Sequence, residues 1–257
     1  ILIDTIHTQS AIIWNYELRQ PIPAYLTSVA VGDYEILEDV YSGKNGNDIP
    51  LRYGIYPGDS TRLTNSFRNM DQAIEAFEDH YGEHRFDLIG YVTVPFSSGA
   101  MEHASNIAYP KAFVNGNLNG ESLYAHELSH HWWGDLVTCE SAEDMWINEG
   151  WASYSESLFM EKVYGRQSYL DYNKNVLNTV LRFAHFVDTG FYPVSPVPHS
   201  ITYGMHVYQK GSLMAHSLRA YMGDSLFFSS INKLMKRAAW GNVNSYQLRD
   251  SLSAYSR

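Results

Sequence analysis

The chain has 257 residues, of which 45% are hydrophobic, so it is long enough to bury a substantial core in one or two domains. Its formal net charge of −10 disfavours nucleic acid and anionic membrane surfaces as partners, because both are negatively charged. No apolar run reaches the roughly 18 residues of a membrane span, and the single Cys139 excludes an internal disulfide.

The chain begins at Ile1 and shows neither the basic segment nor the apolar segment of a secretory signal peptide. We interpret it as a mature or excised piece of a longer protein, with any export signal upstream. An extracellular or periplasmic location is favoured over a cytoplasmic one.

The first part of the chain is predicted to be rich in strands. Apolar and polar side chains alternate from about 22 to 56, including 25–31 and 49–56, and breaks at 32–33 and 43–48 interrupt them. This pattern is typical of β-strands joined by turns. It changes near Asp59, so we assign residues 1–58 to the C-terminal part of a β-rich domain and residues 59–257 to an α+β domain.

The second part is predicted to be mostly helical. Apolar residues recur at helical spacing from Met70 to Tyr81, which indicates an amphipathic helix that ends at Gly82. A strand over 87–94 and a loop over 97–103 follow. Further helices are predicted over 121–133, 149–164, 167–186, 204–222, 225–239 and 244–255.

A metal-binding pattern occurs in the first of these later helices. Residues 126–130 read H-E-x-x-H, and residues four apart lie on one face of a helix, so His126 and His130 can converge on one ion. A catalytic zinc ion takes a third protein ligand and leaves a fourth position to water. Glu149, separated from His130 by eighteen residues, is the candidate because it opens the next helix. The sequence therefore predicts one zinc ion per chain, bound by these three residues.

Glu127 is predicted to act as a general base. It lies next to His126, about a quarter turn away from the ligand direction on a helix, so it is close to the ion without binding it. From there it can take a proton from the attacking water and pass it to the leaving amine.

Three other positions near the motif have less specific interpretations. Cys139 is interpreted as a buried structural residue, although a thiolate there could compete for zinc. Asp144 is either an acceptor for a ligand imidazole or a carboxylate at a helix start or on the surface. The pair Trp132 and Trp133 is interpreted as core.

Several motifs together resemble the M1 family of zinc aminopeptidases, which belong to the gluzincin clan. Residues 126–152 follow the H-E-x-x-H, eighteen residues, E pattern, with Asn-Glu-Gly around the third ligand. Residues 99–103 (GAMEH) resemble the family's G-A-M-E-N loop, and residues 208–211 (YQKG) resemble its Y-E-K-G. The resemblance implies a thermolysin-like zinc peptidase domain, with a small mixed sheet and a mostly helical lobe. It also implies that the final strands of a β-rich domain precede this domain and that the N-terminal and C-terminal domains of the parent protein are missing.

The resemblance also implies roles for individual residues. Tyr208 would donate a hydrogen bond to the developing oxyanion, and Glu102 would pair with the free α-ammonium group of the substrate. The substrate-binding residues would be Gly99, Ala100, Met101 and Glu102. His103 stands where the family has Asn, which exchanges an amide for a titratable ring beside the peptide backbone.

The expected activity is hydrolysis of peptide bonds that removes N-terminal residues from peptide substrates. Zinc, a base and a tyrosine would also serve a zinc endopeptidase or an epoxide hydrolase on the same scaffold. An alternative outside the enzymes is a non-catalytic scaffold that keeps the fold of the family. The presence of Glu127 and Tyr208 favours an enzyme.

Overall fold

The structure, a computed structural model, describes residues 2–43 and 46–255. It begins with an antiparallel pair, β1 (Leu2–His7) and β2 (Ile12–Tyr16), that is exposed on both faces. The prediction of a strand over 25–31 is wrong. A 3₁₀ turn occupies Ala24–Leu26, and Val29 and Val31 beyond it are 85% and 90% exposed. The alternation there has no neighbouring strand to pair with, and alternation without pairing does not make a strand.

A four-stranded mixed sheet forms the centre of the first half. Its strands are β3 (Glu35–Ser42), β4 (Asp48–Ile55), β5 (Ile89–Val94) and β6 (Ile107–Pro110), in the order β3-β4-β5-β6. The first pair is antiparallel, and the other two pairs are parallel. The strands predicted over 49–56 and 87–94 are therefore confirmed. The domain boundary proposed at residue 58 stays a prediction. Strands from both sides of that boundary, β4 and β5, pair in the same sheet.

Two helices join β4 to β5, namely α1 (Ser60–Ser66) and α2 (Met70–Tyr81). The helix predicted from Met70 to Tyr81 is confirmed. It buries Ala73, Ile74 and Phe77 completely. Gly82 ends it with φ of 103°, a conformation that a side chain disfavours.

The second half is mostly helical, as expected. Its regular elements are α3 (Glu121–Ser129), β7 (Val137–Cys139), α4 (Glu149–Tyr164), α5 (Arg166–Thr179), a π-helical turn (Val180–Ala184), α6 (His185–Val187), α7 (Gln209–Met222), α8 (Asp224–Ala238), β8 (Gly241–Val243) and α9 (Ser245–Tyr255). Strands β7 and β8 form a parallel pair that three residues per strand made too short to predict. Helix α7 begins five residues later than expected, because residues 204–208 form a separate turn.

Buried tryptophans fill the space between the helices. Trp132 and Trp133 are 1% and 0% exposed, and the ring of Trp133 stacks on Trp151 with centroids 4.1 Å apart. The interpretation of the tryptophan pair as core is confirmed. Among the described residues, no helix has both the length and the apolar character needed to cross a membrane.

Candidate metal centre and active site

Helix α3 carries both histidines of the predicted metal site. The helix itself ends at Ser129, four residues earlier than predicted, but His130 keeps a helical backbone with φ −61° and ψ −24°. The spacing of His126 and His130 is therefore helical, and their ring centroids lie 4.9 Å apart. Beyond them Gly134, with φ of 126°, turns the chain back toward β7.

Glu149, the first residue of α4, completes the group. Its Oε2 lies 3.3 Å from Nε2 of His126 and 3.4 Å from Nε2 of His130. All three residues are buried, and their potential ligand atoms lie within 4.8 Å of one another. The structure thus brings together the three side chains that the sequence predicted as ligands.

The far side of each imidazole determines which nitrogen faces the centre. Nδ1 of His126 lies 2.9 Å from Oε1 of Glu156, and Nδ1 of His130 lies 2.7 Å from the carbonyl oxygen of Trp133. Carbonyl and carboxylate oxygens only accept hydrogen bonds, so both Nδ1 atoms carry the proton. The Nε2 lone pairs then face the carboxylate of Glu149, and this set of three electron donors fits a zinc ion.

The charges of the site also favour a cation. Burial by itself lowers the pKa of His130, but Glu149 and Glu102 outweigh it and raise that pKa to about 9. Burial likewise favours the neutral form of Glu149, but His130 and His126 outweigh it and hold that pKa well below its usual range. The side chains therefore favour positive charge at their centre, whether protons or a metal ion carry it.

Two further carboxylates lie beside the ligands. One oxygen of Glu127, one oxygen of Glu102 and a ring nitrogen of His130 lie within 4.8 Å of one another. Burial raises the pKa of Glu127 to about 7, while the imidazoles of His126 and His130 oppose the shift. The residue predicted as the base and the residue predicted to bind the substrate amine therefore belong to one site.

The loop at 99–103 leads Glu102 into this site. Met101 forms an antiparallel bridge with Ala108 of β6, and the two backbone hydrogen bonds between them measure 3.0 and 2.9 Å. Glu102 is 7% exposed, whereas Gly99 lies at the surface with φ of 66° and open space around its Cα. Ala100 is half-buried between them.

Tyr208, the residue immediately before α7, also lies in the site. Its ring lies parallel to that of His126, with centroids 6.1 Å apart. A Cβ on Gly150 would lie 2.8 Å from the Cα of Gly211, so glycine at both positions permits the close approach of α4 and α7. That contact brings Tyr208 to Glu149. Burial, with Glu149 adding to it, raises the pKa of Tyr208 well above its usual range, so the phenol keeps its proton and can donate it in a hydrogen bond.

Of the two alternatives left open for Asp144, the structure agrees with a carboxylate at a helix start, since Asp144 lies in the first turn of the 3₁₀ helix Ala142–Ile147, and sequence reasoning missed another residue. Asp144 does not contact a ligand imidazole, because its carboxylate accepts hydrogen bonds from the hydroxyls of Ser195 and Ser245. Glu156 performs that role for His126. It lies seven residues after Glu149, two turns along the same face of a helix, and that spacing could have identified it.

Cys139 is buried and does not belong to either group of potential metal ligands found among the described residues. Its backbone N–H donates to Oδ1 of Asn148, 2.9 Å away. The interpretation as a structural cysteine agrees with these contacts. Burial raises the pKa of its thiol to about 12, so a thiolate there is disfavoured at neutral pH.

Residues 62–257 match the family model described as "Peptidase family M1 domain". The chain belongs to peptidase family M1. Aminopeptidase N of Streptomyces lividans is 28% identical to this M1 chain over 269 residues, which cover 94% of the chain and 30% of that protein. Aminopeptidase 2 of Candida albicans is 26% identical over 250 residues, which cover 90% and 26%. The M1 chain thus spans less than a third of the length of these relatives.

Solved structures share the fold of the M1 chain. A mutant M1 zinc metallopeptidase from Deinococcus radiodurans has a TM-score of 0.86 at 20% identity, covering 99% of this chain and 56% of that one. Aminopeptidase A of Legionella pneumophila, in complex with aspartic acid, has a TM-score of 0.80 at 18% identity, covering 100% and 30%. The predicted fold class, an α+β zinc-peptidase domain, is confirmed.

Proposed function

We propose that this M1 chain is the catalytic part of a zinc-dependent aminopeptidase that removes N-terminal residues from peptides. The observation that carries the proposal is the convergence of His126, His130 and Glu149 on one buried point, with Glu127 and Glu102 beside it. The names of the relatives, which are aminopeptidases, support the same activity.

One zinc ion per chain, held by His126, His130 and Glu149, would supply Lewis-acid polarisation and lower the pKa of a bound water. Glu127 accepts a proton from the attacking water and passes it to the nitrogen of the leaving amine. The phenol of Tyr208 donates a hydrogen bond to the oxygen on which negative charge develops.

Glu102 accounts for the choice of an exopeptidase over an endopeptidase. Its buried carboxylate has an oxygen within 4.8 Å of an oxygen of Glu127, so an ammonium group paired with Glu102 would lie next to the general base. A charge-assisted pair between carboxylate and α-ammonium anchors the first residue of a peptide, because internal residues have no α-ammonium group. The substrate-binding residues in this proposal are Gly99, Ala100, Met101 and Glu102.

The test compares two peptides of one sequence, one with a free N-terminus and one acetylated, using the full-length protein loaded with zinc. We expect release of the first residue from the free peptide only. Glu127→Gln should lower kcat by at least about 100-fold, and Glu102→Gln should mainly raise KM for the free peptide. Equally fast cleavage of both peptides would contradict the aminopeptidase assignment.

A further inference from the structure

A buried acid–histidine pair lies outside the metal centre. Asp188 and His206 are 4% and 3% exposed. Oδ2 of Asp188 lies 2.6 Å from Nδ1 of His206 and also accepts the backbone N–H of His206 at 2.8 Å. Oδ1 accepts the backbone N–H of Met205 at 3.1 Å. One carboxylate therefore holds two consecutive backbone amides and an imidazole.

These contacts define the turn that carries Tyr208 into α7. The N–H of Tyr208 donates to the carbonyl of Gly204 at 3.2 Å, and the N–H of Lys210 donates to the carbonyl of Met205 at 3.0 Å. The amides of Met205 and His206 come at the start of this turn, where no earlier carbonyl accepts them. Asp188 supplies the missing acceptor, as a capping residue does for a helix.

The turn lies directly against the carboxylate. A Cβ on Gly204 would lie 2.6 Å from Oδ1 of Asp188, so no side chain fits between them. On the other side, the ring of Tyr192 packs edge-on against His206 with centroids 5.5 Å apart, and the backbone carbonyl of Tyr192 accepts a hydrogen bond from Lys210. The segment 204–210 is thus held on both sides of Tyr208, at His206 by Asp188 and at Lys210 by the carbonyl of Tyr192.

We propose that Asp188, through His206 and the turn at 204–208, is a positioning residue that sets the phenol of Tyr208 in the active site. This inference rests on the proposed function, in which Tyr208 donates to the oxyanion. Burying a carboxylate costs free energy that apolar packing would avoid, so a fully hydrogen-bonded carboxylate at this place indicates a geometric requirement. A donor misplaced by about 1 Å loses on the order of 100-fold in rate.

The test is a double-mutant cycle of Asp188→Asn and Tyr208→Phe in the full-length protein. Asn has the shape of Asp and keeps an oxygen for one backbone amide, but it loses the charge-assisted contacts. We expect Asp188→Asn to lower kcat by about 10-fold with KM and bound zinc unchanged, and Tyr208→Phe by about 100-fold. The double variant should be no slower than Tyr208→Phe, because a misplaced phenol and an absent one lose the same interaction.

Independent losses that multiply in the double variant, or wild-type kcat in Asp188→Asn, would overturn the inference. Asp171→Asn, an exposed carboxylate on α5, is the matched control. If Asp188→Asn does not fold, His206→Gln keeps the backbone contacts and should show the same non-additivity at a smaller loss.

A crystal structure of Asp188→Asn measures the position of Tyr208 independently of activity. We expect the phenol oxygen of Tyr208 to be displaced by about 0.5 Å, in keeping with the 10-fold loss of kcat, while α4 and its ligand Glu149 stay in place. An unmoved phenol would overturn the positioning role even if the peptide assay fails. Failure of the wild-type protein to cleave free peptides contradicts the proposed function alone.

Discussion

At the scale of single residues, the predicted metal centre depends on side chains outside the predicted ligand set. Glu156 accepts a hydrogen bond from the Nδ1–H of His126 and another from the phenol of Tyr172. It thereby fixes both the tautomer and the orientation of the ring. The backbone carbonyl of Trp133 does the same for His130. Such partners keep the ligand nitrogen available and make it more basic.

Glu156→Gln tests this role. We expect zinc to bind about 10- to 100-fold more weakly, because a neutral amide oxygen is a poorer acceptor for the His126 proton. Competition with a chromophoric chelator measures the change. Glu143→Gln, an exposed carboxylate on the neighbouring turn, should bind zinc like the wild type. Equal affinity in the two variants would show that Glu156 does not support the ligand.

His80 on α2 makes stability depend on pH away from the active site. Burial lowers its pKa to about 4, with Arg219 and Lys162 adding to the effect and Glu161 and Asp224 opposing it. Its ring stacks on Phe228 with centroids 3.8 Å apart. The unfolded chain, with an ordinary histidine, binds the proton more readily than the folded one between about pH 6.5 and pH 4.

The contribution of His80 to stability is therefore complete above about pH 6.5 and is lost as pH falls toward 4. We expect His80→Gln to reduce the loss of unfolding free energy across this range by on the order of 2 kcal/mol. Urea unfolding at a series of pH values measures it. His7→Gln, on the exposed strand β1, is the matched control. An unchanged profile in His80→Gln would contradict the assignment.

At the scale of elements, the packing of α4 against α7 assembles the site. The two helices meet where Gly150 faces Gly211, immediately after Glu149 and three residues after Tyr208. A ligand from one helix and a hydrogen-bond donor from the other become neighbours because no side chain separates the backbones. Spacing within one helix could not reveal this contact.

Gly150→Ala tests this contact. The added methyl group would lie 2.8 Å from the Cα of Gly211 and 3.0 Å from the carbonyl oxygen of Val207, and backbone atoms cannot move aside easily. We expect a loss of about 2–3 kcal/mol in unfolding free energy and a larger loss of kcat than of stability. Met214→Ala, on a partly exposed position of α7, should change both little. Wild-type activity in Gly150→Ala would show that the two helices can separate without cost.

At the scale of the whole molecule, the metal site joins parts of the chain that are distant in sequence. The ligands lie on α3 and α4, Glu102 comes from the loop before β6, and Tyr208 comes from the start of α7. Without a cation this region buries several carboxylates within a few ångströms of each other. We therefore expect a bound ion to stabilise the folded chain.

Metal removal should lower the melting temperature. Zinc at 100 times its dissociation constant adds about 2.7 kcal/mol to stability, which corresponds to roughly 5–10 °C for a domain of this size. Calorimetry before and after chelation, and again after zinc is restored, measures the shift. His126→Ala should show no further loss on chelation. A melting temperature that does not respond to zinc in the wild type would contradict the predicted ligand set.

The sequence by itself determined the features that repeat at short range. Helical spacing predicted α2 and the convergence of His126 and His130, and Glu149 followed from the coordination that a catalytic zinc ion requires. The helix and the convergence of the two histidines could be predicted because neighbours along a helix are also neighbours in space. Glu149, on another helix, lies beside both histidines, as the coordination argument required. The strand prediction fails for residues 25–31, where alternation found no partner strand. The two alternatives for Asp144 could not be separated by spacing, and the acceptor for His126 is Glu156.

Only the tertiary structure decided which separate elements meet. The order of the four-stranded sheet, the contact of Gly150 with Gly211 and the pairing of Asp188 with His206 all join residues far apart in the chain. Each depends on packing and on the need to satisfy buried polar groups, and neither leaves a periodic signal in the sequence. For that reason the convergence of His126, His130 and Glu149 could be predicted from the sequence, whereas the contacts that orient these residues and Tyr208 could not.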